Sequence, residues 1–366
     1  MYSYWEKMYW YDRYDYLIVG SGIVGLFTAI AIRKRFPDAR IAVVERGHLP
    51  TGASTKNAGF ACFGTVGELM DDLNKLSEQE VIDTIAMRWK GLQLLKSMVT
   101  SKQMDLKEYG GYELVDDEDT FSMYHDRLDY INGLIQTATG INKAIEQSEL
   151  RRAKSFYDKC FFNSHEAQLN PALLIRRLKT FAERQKITLI NGYEVKGHEE
   201  YEATVRLTNG STEIQAGRVV YCTNAFTGRI LPGYDIVPAR NLVMITKTLD
   251  RNRWKGCFHY NRGYIYFRNI DGRLLLGGAR NVDLEKETTD QFGENTKVRT
   301  ELEQFLVRLG FAPGDIDMTW SGIIATGKSK KPIVKPISDR VYLAVRLGGM
   351  GIAIGAGVAQ ELAEML

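Results

Sequence analysis

The run Tyr16-Leu17-Ile18-Val19 passes directly into Gly20-Ser21-Gly22-Ile23-Val24-Gly25. A short apolar run of this kind reads as a buried parallel strand. Leu26 to Arg35 follows a helical pattern, and Phe36-Pro37-Asp38 ends it because proline cannot continue a helix. Arg40 to Glu45 reads as a second strand. Strand, glycine turn, helix and strand in this order form a βαβ unit. Gly20 permits the tight turn, Gly22 lets the backbone approach a pyrophosphate, and Gly25 lets the helix lie close on the strand. Ile23 and Val24 lie in the turn that leads into the helix, whose free N–H groups and partial positive charge favour phosphate. Glu45 closes the second strand where a carboxylate accepts hydrogen bonds from a ribose diol. Together these features predict a bound dinucleotide. Arg46 would attract a 2′-phosphate, but Glu45 would repel it, which argues against a phosphorylated nicotinamide.

The segment after Glu45 separates flavin from nicotinamide. A nicotinamide domain usually continues as further strand–helix alternation. Here the chain enters a small, polar loop, Gly52-Ala53-Ser54-Thr55-Lys56-Asn57-Ala58-Gly59-Phe60. It leaves the strand end nearest the cofactor, so Ser54, Thr55 and the backbone can run along an extended ligand. Two later segments return to the same sheet. In the first, Ile187 to Ile190 is a strand and Glu194-Val195-Lys196 begins another. Asn209-Gly210 turns a hairpin between Thr204–Leu207 and Thr212–Gln215. Arg218 to Cys222 is then a buried strand, ending at Thr223-Asn224. In the second, Val341 to Val345 leads into Gly348-Gly349-Met350-Gly351 and a helix from Ile352 to the end. A helix N-terminus there would stabilise negative charge on a reduced flavin. The predicted cofactor is FAD.

The remaining composition narrows the partners. Lys and Arg total 48 and Asp and Glu 45, a net charge of +3, so neither nucleic acid nor an anionic membrane is expected. Cys62, Cys160, Cys222 and Cys257 are widely spaced, which predicts neither a disulfide framework nor a thiolate metal site and fits a reducing, cytoplasmic location. The five histidines are scattered too, and their spacing gives no metal site. No apolar stretch is long enough to span a membrane. The aromatic N-terminus, MYSYWEKMYWYDRYDY, is no signal peptide. It is expected to pack across its own domain, burying its rings and leaving its hydroxyls wet; docking on a membrane interface or partner is the other reading.

Further along, Leu69 to Met98 reads as two helices, Leu128 to Ile145 as one, and Asn170-Pro171 opens another to about Gln185. The expected fold is α/β, a Rossmann-like FAD-binding domain interwoven with an antiparallel-sheet α+β substrate domain. The first would use residues 1–69, 161–235 and 319–366; the second, 70–160 and 236–318.

These segments together resemble the D-amino-acid oxidase superfamily of FAD-dependent oxidoreductases. They are DYLIVGSGIVG with VVER, GASTKNAGF, VVYCTNAFTG, GYIYFRNIDGRLLLGGARN and LGGMGIAIGAGVAQELAE. The likeness covers Asp15 to Leu366 and is nearest the glycine oxidase, sarcosine oxidase and gamma-glutamylputrescine oxidoreductase branches. It implies that Glu45 and Arg46 lie at the ribose. Ser54, Thr55, Asn57, Ala58 and Gly59 would follow the FAD, and Val195 would contact adenine. Thr223 and Asn224 would lie near the cofactor, with Gly349, Met350, Gly351 and Ile352 at the flavin ring. Sarcosine oxidases link their flavin to a C-terminal cysteine. No cysteine follows Cys257, so non-covalent FAD is expected. Amino-acid oxidases often carry a carboxylate-binding arginine shortly after a tryptophan. The matching stretch, Trp320 to Gly327, has none.

The expected activity is oxidation of a C–N bond in an amine or amino acid, with hydride transfer to flavin and hydrolysis of the imine. The acceptor that reoxidises the flavin stays open between oxygen and another. Strand alternation puts Tyr264, Tyr266 and Arg268 on one face, and the resemblance to glycine oxidase makes Tyr264 a pocket residue. Phe60, His259, Arg280 and Arg346 are further candidates for the substrate end. Two other activities stay open: a hydroxy-acid dehydrogenase feeding a quinone, and a non-catalytic flavin-binding module.

Overall fold

In the computed structural model, which describes residues 2–150, 155–250 and 252–366, Tyr14–Val19, Ile23–Arg35 and Ile41–Glu45 form the expected βαβ unit. Gly25 is held to glycine by contact: a Cβ there would lie 1.9 Å from the Gly20 carbonyl oxygen. That closeness lets the helix settle on its strand. The helix is buried from Ile23 through Ile30 because sheet and helices cover it on several sides. The C-terminal helix, Gly351–Met365, packs against it and against the long helix Glu78–Met98.

The first sheet runs Thr188–Asn191, Ile41–Glu45, Tyr14–Val19, Glu213–Tyr221, Val341–Val345, all parallel, with Ile333–Pro336 antiparallel at the end. The hairpin at Asn209-Gly210 forms, pairing Val205–Thr208 with Glu213–Tyr221. The two strands expected after it are one continuous strand, since Ala216 and Gly217 do not interrupt extended backbone. Residues 194–196 are not a strand; pairing begins at Gly197.

The second sheet runs Ile316–Thr326, Val237–Thr246, Arg273–Gly278, Ile265–Ile270, Cys257–Tyr260, Gly111–Leu114, Lys159–Asn163, Ile145–Glu149. It is antiparallel except where Cys257–Tyr260 meets Gly111–Leu114. Lys159–Asn163 and most of Ile316–Thr326 lie in this sheet, so boundaries at residues 161 and 319 would cut through its strands. The helix expected over 128–145 stops at Thr139, where Gly140 turns left-handed, and Ile145 starts a strand. A two-residue ribbon, Phe60–Ala61 with Ala167–Gln168, bridges the two sheets' segments.

The N-terminal arm differs from expectation. Tyr4–Trp10 is a helix with no buried residue, and Tyr4, Trp5 and Tyr9 each stand 66% exposed. Its helix is set locally, by reciprocal capping between Ser3 and Glu6. The body holds it by backbone: the Tyr14 hydroxyl donates to the carbonyls of Tyr9 and Trp10, and Arg40 to that of Met8. Among the described residues no helix is long and apolar enough to cross a membrane.

Candidate active site

A cavity of about 840 Å³ opens between the two sheets. It runs from the Gly20–Val24 turn past Gly348–Ile352 to the ends of strands in the second sheet. Two helices point their N-termini into it. Neither the cap Gly22 nor the cap Met350 makes a side-chain capping bond; the Ser54 hydroxyl takes the Ile23 N–H, and the other first-turn N–H groups are left for a ligand.

At the first end, Glu45 is buried and organises the loops around it. Its Oε2 accepts from the Ser21 N–H and hydroxyl, both at 3.1 Å. Its Oε1 accepts from the N–H of Gly47 and the hydroxyl of Thr51, both at 3.2 Å. The Ser54 hydroxyl accepts from the Ile23 N–H at 3.0 Å, tying the polar loop to the glycine turn. Asn57 shapes that loop from within, donating to Ala53 and Ser54 and accepting from Gly59. Arg46 lies 3.8 Å over the Phe226 ring.

At the other end, the Phe60 ring meets His259 at 5.3 Å and Tyr266 at 5.6 Å, both edge-on. Arg280 sits 5.8 Å over the Tyr264 ring. Burial pushes the Tyr266 phenol up to about 12, against the pull of Arg280. The His259 Nε2 lies 2.7 Å from Glu166 Oε2. Burial alone would lower the imidazole, but Glu166, with Glu113 and Glu68 adding to it, holds His259 above its ordinary value. Ile323 and Ile324 supply apolar wall where an arginine is absent.

Among the described residues six arginines line the cavity. Four are paired with carboxylates: Arg88 with Glu68, Arg229 with Asp290, Arg262 with Asp71 and Arg346 with Asp235. Among the described residues Arg46 and Arg280 make no ion pair; they stand at opposite ends of the cavity.

The expected residues come together with three exceptions. Gly25 packs against Gly20 behind the wall. Thr55 turns its hydroxyl to the Pro50 carbonyl. Arg268 is 3% exposed and reaches behind the Gly59 loop to donate to the Leu169 carbonyl. Alternation puts Arg268 and Tyr266 on one face as expected, but the sheet's twist carries Arg268 under the loop instead of into the cavity. Arg346 lines the wall, yet its guanidinium is committed to Asp235 and the Lys331 carbonyl.

Sequence reasoning misses a charged cluster on the wall: Glu68, Asp72, Arg88 and Lys330. Lys330 bridges Glu68 at 3.1 Å and Asp72 at 2.6 Å. Burial would raise the Glu68 carboxyl, but Arg88 and Lys330 bring it down to about 2. One clue is legible. Val81, Ile85, Arg88 and Leu92 fall on one stripe of the Glu78–Met98 helix, so a charge interrupts a buried face.

The sequence matches the family described as DAO, FAD dependent oxidoreductase, over residues 15–365. The chain belongs to this family. No curated protein matches it. Among solved structures, this DAO-family chain is similar to glycine oxidase from Geobacillus kaustophilus, with a TM-score of 0.78 at 17% identity, covering 96% of this chain and 95% of that one. It is also similar to L-proline dehydrogenase from P. horikoshii, with a TM-score of 0.74 at 16% identity, covering 97% and 93%. Iminodiacetate oxidase from Chelativorans sp. BNC1 gives 0.74 at 17%, covering 95% and 94%. These likenesses establish the fold; the family makes the chain an FAD-dependent oxidoreductase. Its residues fit FAD: two helix N-termini with first-turn N–H groups facing the cavity suit the pyrophosphate and a reduced flavin, and the cavity volume suits a large, mostly buried ligand.

Proposed function

We propose that this DAO-family enzyme oxidises the C–N bond of a small amine or amino acid. The observation that carries the reading is the far end of the cavity, where Tyr264, Arg280, Tyr266 and Phe60 meet apolar wall from Ile324. Bound FAD supplies the two-electron chemistry, accepting hydride from the carbon beside nitrogen. What the chain contributes is orientation and dryness. The Tyr264 hydroxyl and the unpaired Arg280 hold the polar end of the substrate, and an anionic group on it would suit that guanidinium. Phe60, Tyr266 and Ile324 enclose the reacting carbon and keep water out. The imine product then hydrolyses once water reaches it.

The cofactor would lie along Gly20, Gly22, Ile23, Val24, Glu45, Arg46, Ser54, Asn57, Ala58, Gly59, Val195, Thr223 and Asn224, ending at Gly349 to Ile352. All of these line the cavity. Non-covalent attachment is supported by the two lining cysteines, Cys62 and Cys222. Burial pushes both thiols up, Cys222 to about 12, so neither is a ready nucleophile. Four free cysteines suit a reducing, cytoplasmic setting.

The test is an anaerobic panel of amines, polyamines, N-methyl amino acids and D- and L-amino acids scored by bleaching of the flavin. Bleaching by at least one class supports the reading. A flavin bleached by hydroxy acids and by no amine overturns it. Oxygen uptake with the bleaching substrate then separates an oxidase from a dehydrogenase.

A further inference from the structure

Cys62, Glu166 and His259 are far apart in sequence, yet each offers a donor atom and these atoms all lie within 4.8 Å of one another. The two-residue ribbon brings two of them together. Phe60 pairs with Gln168 and Ala61 with Ala167, so the next step of that register sets Cys62 across from Glu166. His259 arrives from the Cys257–Tyr260 strand of the second sheet. Gly111 on the neighbouring strand leaves room for the carboxylate, since a Cβ there would lie 1.9 Å from Glu166 Oε2.

All three side chains are buried. Glu166 is 1% exposed, and while its Oε2 meets His259, its Oε1 has no hydrogen-bond partner. A buried carboxylate oxygen left unpaired is costly and asks for a counterpart. Cys62 and His259 line the cavity, with Glu166 behind them.

We propose that Cys62, Glu166 and His259 bind a divalent transition-metal ion, zinc foremost, with its fourth coordination position open to the cavity. Thiolate sulfur, imidazole nitrogen and carboxylate oxygen are the donors zinc takes, and three protein ligands with one open position is its usual arrangement at reactive sites. Binding is an exchange of cations. The metal enters, and the Cys62 thiol proton and the proton shared by His259 and Glu166 leave. No electron moves, since zinc has a single oxidation state here. The open position would take an oxygen or nitrogen donor at the substrate end. The proposal stands independently of the amine-oxidation reading, because it concerns occupancy rather than turnover.

The experiment uses the FAD-loaded full chain. It is dialysed against zinc, then against metal-free buffer, and its metal content is measured by elemental analysis. The expected result is about one zinc per chain. Replacement by cobalt(II) should add absorption to the red of the oxidised flavin bands, of the intensity typical of four-coordinate cobalt. Cys62→Ser and Glu166→Gln should each weaken zinc binding roughly tenfold or more, with the flavin-to-protein absorbance ratio reporting that the fold is intact. If a variant loses its flavin, the cobalt spectrum of the wild type decides alone. Wild-type protein that holds FAD but retains neither zinc nor cobalt overturns the proposal. So do variants that retain FAD and as much metal as the wild type.

Discussion

Asn224 and Arg346 are joined across two neighbouring strand ends: the Asn224 side-chain oxygen accepts the Arg346 N–H at 3.1 Å, and both residues have positive φ, 45° and 64°. The same oxygen accepts the Leu347 N–H at 3.3 Å. One carboxamide thus aligns the chain leaving Glu213–Tyr221 with the chain leaving Val341–Val345, and so sets where the Gly348–Ile352 turn enters the cavity. Asn224→Ala removes the acceptor and puts a side chain without local hydrogen bonding into left-handed backbone. A loss of about 1–3 kcal/mol in stability is expected, with weaker FAD retention. Thermal melts and the flavin-to-protein absorbance ratio after gel filtration read it. Unchanged retention and melting would refute the role.

Gly25→Ala should abolish FAD binding, because its new methyl group would meet the Gly20 carbonyl at 1.9 Å. Gly52→Ala, with nothing within 4 Å of the added carbon, should bind FAD as the wild type does. Side-by-side flavin content of the two purified variants is the measurement. Equal content in both would show that turn contact does not govern the cofactor.

At the substrate end, Arg280→Met should raise KM for a carboxylate-bearing substrate by roughly ten- to a hundredfold while leaving FAD content intact. A matched amine without the carboxylate should change little. Tyr264→Phe should give a smaller change in the same direction. Steady-state kinetics on the paired substrates decides; a fall in kcat alone, equal for both, would place Arg280 outside substrate recognition.

Burial raises the Glu113 carboxyl from 4.5 to about 7, against the Gly67 N–H and Thr65 hydroxyl that favour its charge. The folded chain therefore holds this proton more tightly than the unfolded one. The stabilisation is complete below about 4.5 and is lost as pH rises through about 7. Glu113→Gln should flatten that loss, which amounts to roughly 3 kcal/mol at most. Melting temperatures of both proteins across the window test it. Parallel curves would rule out Glu113 as their source.

Deleting residues 2–10 should cost little stability and no FAD, since the Tyr4–Trp10 helix buries no side chain. A melting temperature lowered by more than about 5 °C would mean that the backbone anchors at Tyr14 and Arg40 matter more than burial suggests.

The glycine turn, Glu45 and the cavity-lining helix after Gly348-Gly349 are legible in the sequence because backbone geometry dictates residue type there. Gly25 has no room for a side chain, and Pro37 and Pro171 mark helix boundaries that the structure keeps. The substrate wall is less legible. Arg268 and Tyr266 share a strand face, yet only Tyr266 reaches the cavity, since a loop from far upstream covers the other. The pairing of Lys330 with Glu68 and Asp72 spans most of the chain, and periodicity carries no information at that range. The aromatic arm departs from expectation because burial of rings is only a tendency, while Ser3 and Glu6 cap the start of its helix and Tyr14 and Arg40 hold the carbonyls at its end without covering a ring.

The cavity is lined by the first βα turn and by the helix Gly351–Met365, whose preceding strand, Val341–Val345, sits inside the sheet beside Glu213–Tyr221. During synthesis the first βα turn would emerge long before Val341–Val345 and Gly351–Met365, so the cavity would stay incomplete until those residues had cleared the ribosome. Until then a nascent chain would carry an open sheet edge and half a cavity. FAD would capture only molecules whose cavity is complete and, by mass action, draw them away from aggregation.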